Sequence, residues 1–185
     1  MRVTITLVGF SGCGKSTLGA LLARKKRAPF FDTDVLVAQR AGRAIPEILR
    51  QGRERRFRQL EWEVIRNLYR TTVSPKVVAL GGGAFVEERN RRVVCEAGPV
   101  VYLSCSVREL YRRLRHATDR PLLASVADGR GAKSELLSRI SGMLAARRAA
   151  YERADYRLSV TARSVRESLE ELMRIVEEIH ANCAR

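Results

Sequence analysis

A glycine-rich segment near the start of the chain constrains its fold more than any other feature. Residues 9–16 read GFSGCGKS and fit the pattern GxxxxGK[ST]. Residues 3–8 before it alternate apolar and small polar side chains, which is typical of a strand with a buried face. Residues 15–26 after it carry leucines at helical spacing. A strand, a glycine turn and a helix in this order predict the first unit of an α/β domain.

The chemistry of this segment suits the phosphate groups of a nucleotide. Glycines let successive backbone N–H groups point at one anion, and the N-terminus of the following helix adds partial positive charge. Lys15 supplies a full charge for the terminal phosphates, and Ser16 supplies a hydroxyl for Mg²⁺. A glycine turn without a ligand is the alternative, but the flanking strand and helix favour nucleotide binding. The motif alone does not choose among a kinase, a GTPase and an ATPase.

The rest of the chain predicts strands that alternate with helices. Further strands are predicted at residues 30–32, 76–80, 99–103 and 156–160, and further helices at 54–70, 106–116, 134–151 and from a capping box at 164–167 onward. This alternation predicts a five-stranded parallel sheet covered by helices on both faces. Proline, glycines and scattered charges at 117–133 predict a mobile loop. No linker divides the chain, so residues 1–185 are predicted to form a single domain.

Two carboxylates end the second predicted strand. Asp32 and Asp34 are two residues apart, a spacing that places both side chains on one face of a strand. Ligands of open α/β sheets bind at the carboxyl ends of strands. One carboxylate could hold Mg²⁺ through water, and the other could accept the proton of an attacking hydroxyl. The alternative is that Asp34 only caps the next helix.

The charge of the chain predicts anionic partners. Lys and Arg total 35 against 20 Asp and Glu, which gives a net charge of +15. An arginine-rich enzyme with anionic substrates and a nucleic-acid-binding NTPase both fit this balance. Aromatic residues make up only 6% and are not interleaved with basic ones as a base-stacking surface requires. We therefore expect an enzyme and no nucleic-acid partner.

The sequence also predicts the cellular location of the protein. No apolar run approaches the length of a membrane-spanning helix, and the first residues lack the features of a signal peptide. The four cysteines match no CxxC zinc or redox pattern, and only two histidines are present. We therefore expect free thiols, no zinc, no membrane association and a cytoplasmic location.

Five segments in order identify a family. The chain contains GFSGCGKST, FFDTD, RRFRQLE, LGGG and DRPLL. Over essentially its full length it resembles shikimate kinase, a P-loop kinase similar to nucleoside-monophosphate kinases. The resemblance implies a three-layer P-loop NTPase fold with a mobile lid at about 117–133 and a substrate-binding helical segment at about 34–61. It also implies ATP-dependent phosphorylation of the 3-hydroxyl of shikimate, in aromatic amino-acid biosynthesis. We expect a monomer.

The same resemblance assigns roles to individual residues. Lys15, Asp34 and Arg120 would be catalytic, with Arg120 reaching from the lid to the transferring phosphate. ATP would contact Gly12, Cys13, Gly14, Lys15, Ser16, Thr17, Arg113 and Arg120, with Arg113 against adenine. Mg²⁺ would be served by Ser16 and Asp32. Shikimate would contact Asp34, Arg58, Gly81, Gly82, Gly83 and Arg147. Arginine at 58 and 147 suits a carboxylate because guanidinium presents two parallel donors, and Glu61 lies at i+3 from Arg58, where it can hold that side chain.

The chain departs from the family pattern at two places. Gly52 stands one position early, so that Arg53 takes the usual place of glycine. Residues 158–160 read LSV where the family often shows Val-Asp-Thr, and no proline opens the last helix. We expect a local turn change beside the pocket at the first departure, without loss of binding. By the resemblance, the second departure lies in a segment that helps enclose adenine, so it bears on nucleotide affinity and selectivity. Two further alternatives are a related kinase, such as one acting on gluconate, and a non-catalytic relative. The LGGG segment and the two arginines favour shikimate over gluconate, and the presence of Lys15, Asp34, Arg58, Arg120 and Arg147 disfavours a non-catalytic protein.

Overall fold

The computed structural model describes residues 3–50, 54–71, 75–115 and 132–182. These residues form strands β1 (Ile5–Val8), β2 (Phe30–Asp32), β3 (Val77–Ala79), β4 (Val100–Ser104) and β5 (Tyr156–Ser159). They also form helices α1 (Lys15–Lys26), α2 (Thr33–Ala41), α3 (Ile45–Arg50), α4 (Glu54–Thr71), α5 (Glu88–Ala97), α6 (Val107–Leu114), α7 (Ala132–Tyr151) and α8 (Val165–Asn182), with a 3-10 turn at Ala84–Val86. The predicted α/β fold with a five-stranded parallel sheet is confirmed.

The order of the strands places the ligand edge of the sheet. The strands lie in the order β2-β3-β1-β4-β5, and every neighbouring pair is parallel. The central strand β1 pairs with β3 on one side (Ile5 opposite Val77) and with β4 on the other (Thr6 opposite Val100). The strands that follow β1 in sequence therefore lie on both sides of it, first β2 and β3 on one side and then β4 and β5 on the other. Parallel sheets of this kind form a crevice at that point, outside the carboxyl ends of the strands.

Two separate apolar clusters stabilise the fold. The larger one packs β1, β3 and β4 against the helices, and its fully buried members include Ile5, Leu7 and Leu103. The smaller one joins α2, α3 and α4 and contains Val37, Ile48, Phe57 and Val64. The segment predicted to bind substrate thus has a core of its own, and α4 links the two clusters because Ile65 belongs to the larger one.

Some predicted features differ from the structure or fall outside it. Helix α5 was not predicted, because its fully buried positions are Asn90 and Val94 and one of the two is polar. Arg120, nearly all of the predicted lid and the Arg53 departure lie outside the described residues. Within the described part of the chain, none of the helices is long and apolar enough to cross a membrane.

Candidate active site

The segment at residues 9–16, here called the phosphate loop, connects β1 to the N-terminus of α1. Gly9, Gly12 and Gly14 have φ angles of 142°, 80° and 102°, which side-chain-bearing residues rarely adopt. At Gly9 a Cβ would also stand 2.6 Å from the carbonyl oxygen of Leu103. The glycines are therefore required by the path of the backbone, as the motif predicts.

Lys15 is folded back over this loop. Its Nζ donates hydrogen bonds to the carbonyl oxygens of Gly9 at 2.9 Å and Phe10 at 3.0 Å, and the side chain is only 9% exposed. Lysine is rarely this buried without partners. The two carbonyls hold the ammonium group against the backbone of the loop.

Ser16 and Asp32 connect the first helix to the second strand. The Ser16 hydroxyl donates to Asp32 Oδ2 at 2.5 Å. The other carboxylate oxygen, Oδ1, accepts the backbone N–H of Asp34 at 3.0 Å and so caps α2. A hydroxyl and a carboxylate in contact are hard oxygen donors of the type that Mg²⁺ prefers.

The structure corrects the interpretation of Asp34. Strand β2 ends at Asp32 and α2 begins at Thr33, so Asp34 lies in the first turn of a helix. The prediction that both carboxylates share one face of a strand is wrong. The capping alternative is also wrong for Asp34, because Asp32 is the N-cap residue. Because the Asp32 side chain accepts the backbone N–H of Asp34, the second residue of the helix, the strand ends and the helix begins at adjacent residues.

A glycine turn, residues 81–83, follows β3 and gathers the predicted acceptor residues. A Cβ on residue 81 would stand 2.5 Å from Asp34 Oδ1 and 3.3 Å from Glu61 Oε1. A Cβ on residue 83 would stand 3.0 and 3.1 Å from the two terminal nitrogens of Arg58. The structure therefore brings Asp34, Arg58 and the glycine turn together, although they are far apart in sequence.

Arg58 is held by an ion pair with Glu61. Its Nη1 donates to Glu61 Oε2 at 2.9 Å, and Glu54 lies 3.5 Å from Nη2. Glu61 is only 2% exposed. Burial raises the pKa of Glu61 to about 7, against the lowering effect of Arg58, and the nearby charges of Asp34 and Glu87 add to the rise. The pKa of Arg58 is raised: burial acts to lower it, but the pairing with Glu61 outweighs that effect.

Arg147 approaches the glycine turn from the opposite element, α7. Its Nη1 donates to the carbonyl oxygen of Gly82 at 3.2 Å, and its guanidinium carbon lies 5.4 Å from the centre of the Phe10 ring. The hydroxyl of Tyr151 donates to the same carbonyl oxygen. Two arginines, one on α4 and one on α7, therefore flank the turn.

Sequence reasoning did not single out several side chains that fix this turn. Thr33 Oγ1 accepts the backbone N–H of Gly81 at 2.8 Å, and Asn90 Nδ2 donates to the Ala84 carbonyl at 2.9 Å. Arg91 donates to the carbonyl oxygens of Phe85 and Val86. The Oδ1 atom of Asn90 has no hydrogen-bond partner among the described residues. Polar side chains that bond to backbone atoms leave no periodic pattern in the sequence. Tyr151 is the exception that could have been found, because it lies one helical turn after Arg147 and so on the same face of α7.

Arg113 lies in a second cleft, on the other side of the phosphate loop. Its guanidinium bonds Glu109 Oε1 at 2.7 Å and the carbonyl oxygens of Cys13 at 3.3 Å and Val160 at 3.2 Å. Hydrogen bonds from Arg112, with further contributions from Arg113, lower the pKa of Glu109 to about 2. Arg113 therefore connects the phosphate loop to the end of β5, and Glu109 keeps it in place.

The cleft has a volume of about 380 Å³. Its walls come from the phosphate loop, the start of α1, the end of α6 and the start of α8, and they include Thr17, Leu18, Arg112, Val160, Arg163, Val165 and Ser168. Val165 is the first residue of α8 and is 52% exposed. Ser159, one of the departures from the family pattern, is exposed on β5.

Within the described ranges, the cysteines and the metal-ligand residues add no second site. Cys13, Cys95 and Cys105 are free thiols, and Cys183 lies outside the described residues. Among the described residues no three His, Cys, Asp or Glu side chains cluster as a metal site would require. The oxygen pair of Ser16 and Asp32 is the feature that fits a metal bound mainly by phosphate and water.

Comparison with known proteins decides the family. A sequence model described as shikimate kinase matches residues 11–177. The chain belongs to the shikimate kinase family. Shikimate kinases phosphorylate shikimate using ATP, so this is an enzyme, and the resemblance stated from the sequence is confirmed.

Individual shikimate kinases support this assignment. The one from Geobacter sulfurreducens is 41% identical over 174 residues, which cover 94% of this chain and 91% of the relative. The solved structure of shikimate kinase from Acinetobacter baumannii in complex with shikimate superposes with a TM-score of 0.83 at 28% identity, covering 96% of this chain and 94% of the other. Shikimate kinase from Bacteroides thetaiotaomicron gives the same TM-score at 29% identity, covering 95% and 98%.

Proposed function

We propose that the chain transfers the γ-phosphoryl group of ATP to the 3-hydroxyl of shikimate where the phosphate loop meets the glycine turn. The supporting observation is the contact between the two. A Cβ on residue 82 would stand 3.2 Å from the backbone nitrogen of Ser11. An acceptor lying on the turn is thus next to the phosphates held by the loop. Phosphoryl transfer between bound substrates requires such proximity, with the reacting atoms roughly 3–3.5 Å apart.

On the donor side, the loop amides and Lys15 bind the phosphates and Arg113 lies against the adenine. Lys15 then turns its ammonium group from the carbonyls of Gly9 and Phe10 toward the β- and γ-phosphates. The remaining contacts proposed for ATP are Gly12, Cys13, Gly14, Ser16 and Thr17. Arg120 carries positive charge to the transferring group in the closed enzyme. It lies in the segment outside the described residues, so its role rests on the family resemblance.

Ser16 and Asp32 would hold Mg²⁺, with Asp32 acting through water. Bound there, the ion would neutralise charge on the β- and γ-phosphates. The Ser16 hydroxyl and Asp32 Oδ2 lie 2.5 Å apart, which is close enough for both to serve one bound ion. Asp32 Oδ1 keeps its bond to the Asp34 amide and fixes the direction of the carboxylate.

On the acceptor side, Arg58 and Arg147 bind the carboxylate of shikimate. Both guanidinium groups lie at the glycine turn, where a flat ring with hydroxyl groups can approach the backbone closely. Gly81, Gly82 and Gly83 line this part of the pocket. Arginine binds a carboxylate by two parallel hydrogen bonds, which fixes the orientation of the ring as well as its position.

Asp34 orients the attacking hydroxyl and accepts its proton. The hydroxyl oxygen forms a bond to the γ-phosphorus, the bond from that phosphorus to the β-phosphate oxygen breaks, and ADP leaves. The proton passes from the hydroxyl to the Asp34 carboxylate. Asp34 Oδ1 lies beside Gly81, at the edge of the turn on which the acceptor would rest.

ADP release from Mg-ATP, measured with and without shikimate, tests the proposal. Shikimate should stimulate release, and quinate and gluconate should not. In Arg58→Ala the KM for shikimate should rise about 100-fold or more, as expected for loss of a charge-assisted bidentate contact. The KM for ATP should stay within about twofold of wild type.

Arg56→Ala is the matched control, since Arg56 lies on the same helix and is exposed. It should behave as wild type. Absence of stimulation by shikimate, with ATP still bound, would overturn the acceptor assignment while leaving the nucleotide site in place. Stimulation that survives in Arg58→Ala would overturn the role of Arg58 alone.

A monomeric state, a cytoplasmic location and the absence of a nucleic-acid partner complete the proposal. The surface basic residues are then explained by anionic substrates and by ion pairs such as Arg166 with Glu170. Size-exclusion chromatography with light scattering tests the first expectation. Titration with duplex DNA and with RNA at low and high salt tests the last, because nucleic-acid binding would weaken steeply with salt.

A further inference from the structure

The carbonyl oxygen of Gly82 accepts two hydrogen bonds from one helix. Arg147 Nη1 donates at 3.2 Å, and the hydroxyl of Tyr151, one turn later on α7, donates as well. A carbonyl oxygen has two lone pairs, so both donors can be accommodated at once. The central peptide of the glycine turn is therefore fixed by α7 and not only by the strand from which it continues.

The side chain of Tyr151 is more buried than that of Arg147. Its side chain is fully buried, and its ring stacks on Tyr102 with centroids 5.1 Å apart. Burial raises the pKa of the Tyr151 hydroxyl well above its usual value, so the group keeps its proton and remains a donor. Arg147 as a residue is only half-buried, and its guanidinium lies over the Phe10 ring. One donor is thus part of the core, and the other is free to change partners.

We propose that Tyr151 is a positioning residue for acceptor binding: its hydroxyl holds the Gly82 carbonyl when Arg147 turns toward the carboxylate of the acceptor. This inference rests on the proposed function, in which Arg147 binds that carboxylate. Without Tyr151, movement of Arg147 would leave a partly buried carbonyl unbonded at the moment of binding, which costs free energy. With Tyr151 in place, the turn keeps its contact with the phosphate loop, where residue 82 meets Ser11.

Tyr151→Phe tests this inference because it removes the hydroxyl and keeps the ring. The KM for shikimate should rise about five- to tenfold, the equivalent of one lost hydrogen bond. The KM for ATP should change less than about twofold. Tyr102→Phe is the matched control, since it removes a hydroxyl from the other ring of the same stack. It should leave both constants near wild type.

Hydrogen exchange provides a readout that does not depend on shikimate. Amides at residues 81–86 should exchange about tenfold faster in Tyr151→Phe than in wild type or Tyr102→Phe. In Arg147→Ala they should exchange within about twofold of wild type, because Tyr151 still holds the carbonyl. This second variant keeps the test available if Tyr151→Phe fails to fold.

Three results would overturn the inference. One is an unchanged shikimate KM in Tyr151→Phe. Another is an equal rise in both KM values together with a lower Tm, which would mean general loosening of the core. The third is fast exchange of the turn in Arg147→Ala, which would make Arg147 the residue that holds it. A wild-type enzyme without shikimate-dependent ADP release would instead refute the proposed function, and the exchange results would still stand.

Discussion

A Cβ atom on residue 81 would lie 2.5 Å from Oδ1 of Asp34, so Gly81 leaves the space that this carboxylate occupies. The Asp34 backbone is fixed by the Asp32 cap, and the Gly81 amide is bonded to Thr33. Neither backbone can retreat easily, so the side chain of Asp34 is the part that would move. The glycine therefore determines where the proposed proton acceptor stands.

Gly81→Ala should lower kcat roughly 10- to 100-fold, because a displacement of a reacting group by about 1 Å is costly. The KM for ATP should stay within about twofold of wild type, since the phosphate loop is untouched. Gly142→Ala is the control, because no atom lies within 4 Å of the added Cβ and the site is inside α7. It should keep full activity and gain roughly 0.5–1 kcal/mol of stability. Full turnover in Gly81→Ala would contradict the role given to Asp34.

The pKa of Glu61 predicts how stability depends on pH. It is about 7 in the folded protein and would be near 4.5 in an unfolded chain. Between these values the folded state binds more protons than the unfolded state, so the free energy of unfolding should fall as pH rises from 4.5 to 7 and level off above. Glu61→Gln should lack this slope. Urea unfolding at pH 5, 6, 7 and 8 measures it, and parallel curves for the two proteins would refute the assignment.

The same group should affect substrate binding in the opposite direction. Protonated Glu61 attracts the Arg58 guanidinium less, so the KM for shikimate should rise severalfold as pH falls below about 7. Glu61→Gln should show a raised shikimate KM at every pH and a flatter profile. The KM for ATP, measured in the same series, serves as the internal control. A shikimate KM that follows pH equally in both proteins would assign the effect to another group.

Asp32→Asn should raise the Mg²⁺ concentration for half-maximal activity severalfold. Asparagine can still accept the Asp34 amide, because it is as good an N-cap residue as aspartate, so α2 should remain intact. What is lost is the negative charge facing Ser16. Activity is measured against free Mg²⁺ at saturating ATP, with the circular dichroism spectrum as the check on folding. An unchanged Mg²⁺ requirement would remove Asp32 from the proposed metal site.

Glu109→Gln should raise the KM for ATP severalfold and leave the KM for shikimate unchanged. The carboxylate holds both Arg112 and Arg113, and its loss leaves the Arg113 guanidinium with the backbone carbonyls of Cys13 and Val160 among its described partners. Glu152→Gln is a matched control, because Glu152 pairs with Arg148 on the surface. Equal effects of the two variants on ATP would show that surface charge, and not the position of Arg113, is what matters.

Much of the fold follows from the sequence because its signals are local. The apolar alternation before Gly9 and the leucines after Lys15 predict β1 and α1, and α1 begins and ends at the predicted residues. The capping box at Ser164 forms as expected, with reciprocal bonds between Ser164 and Glu167. The abrupt change from β2 to α2 was missed because it depends on one side-chain hydrogen bond of Asp32.

Only those parts of the site that belong to recognisable family segments could be predicted from the sequence. The family resemblance selected Arg58, Arg147 and the glycine turn by position, and the structure brings them close to one another. The supports of the turn could not be selected, because Thr33 and Tyr151 contact it through backbone atoms from distant elements. Such contacts depend on how α2 and α7 pack and leave no periodic pattern in the sequence.

The small apolar cluster that joins α2, α3 and α4 affects which parts of the fold can change independently of one another. Val37, Ile48 and Phe57 pack with one another in a cluster separate from the main core. Substitutions within this cluster can therefore change the packing of α2, α3 and α4 against one another, while Ile65 keeps α4 anchored to the larger core. The packing beside the acceptor residues can thus vary separately from the packing beneath the phosphate loop.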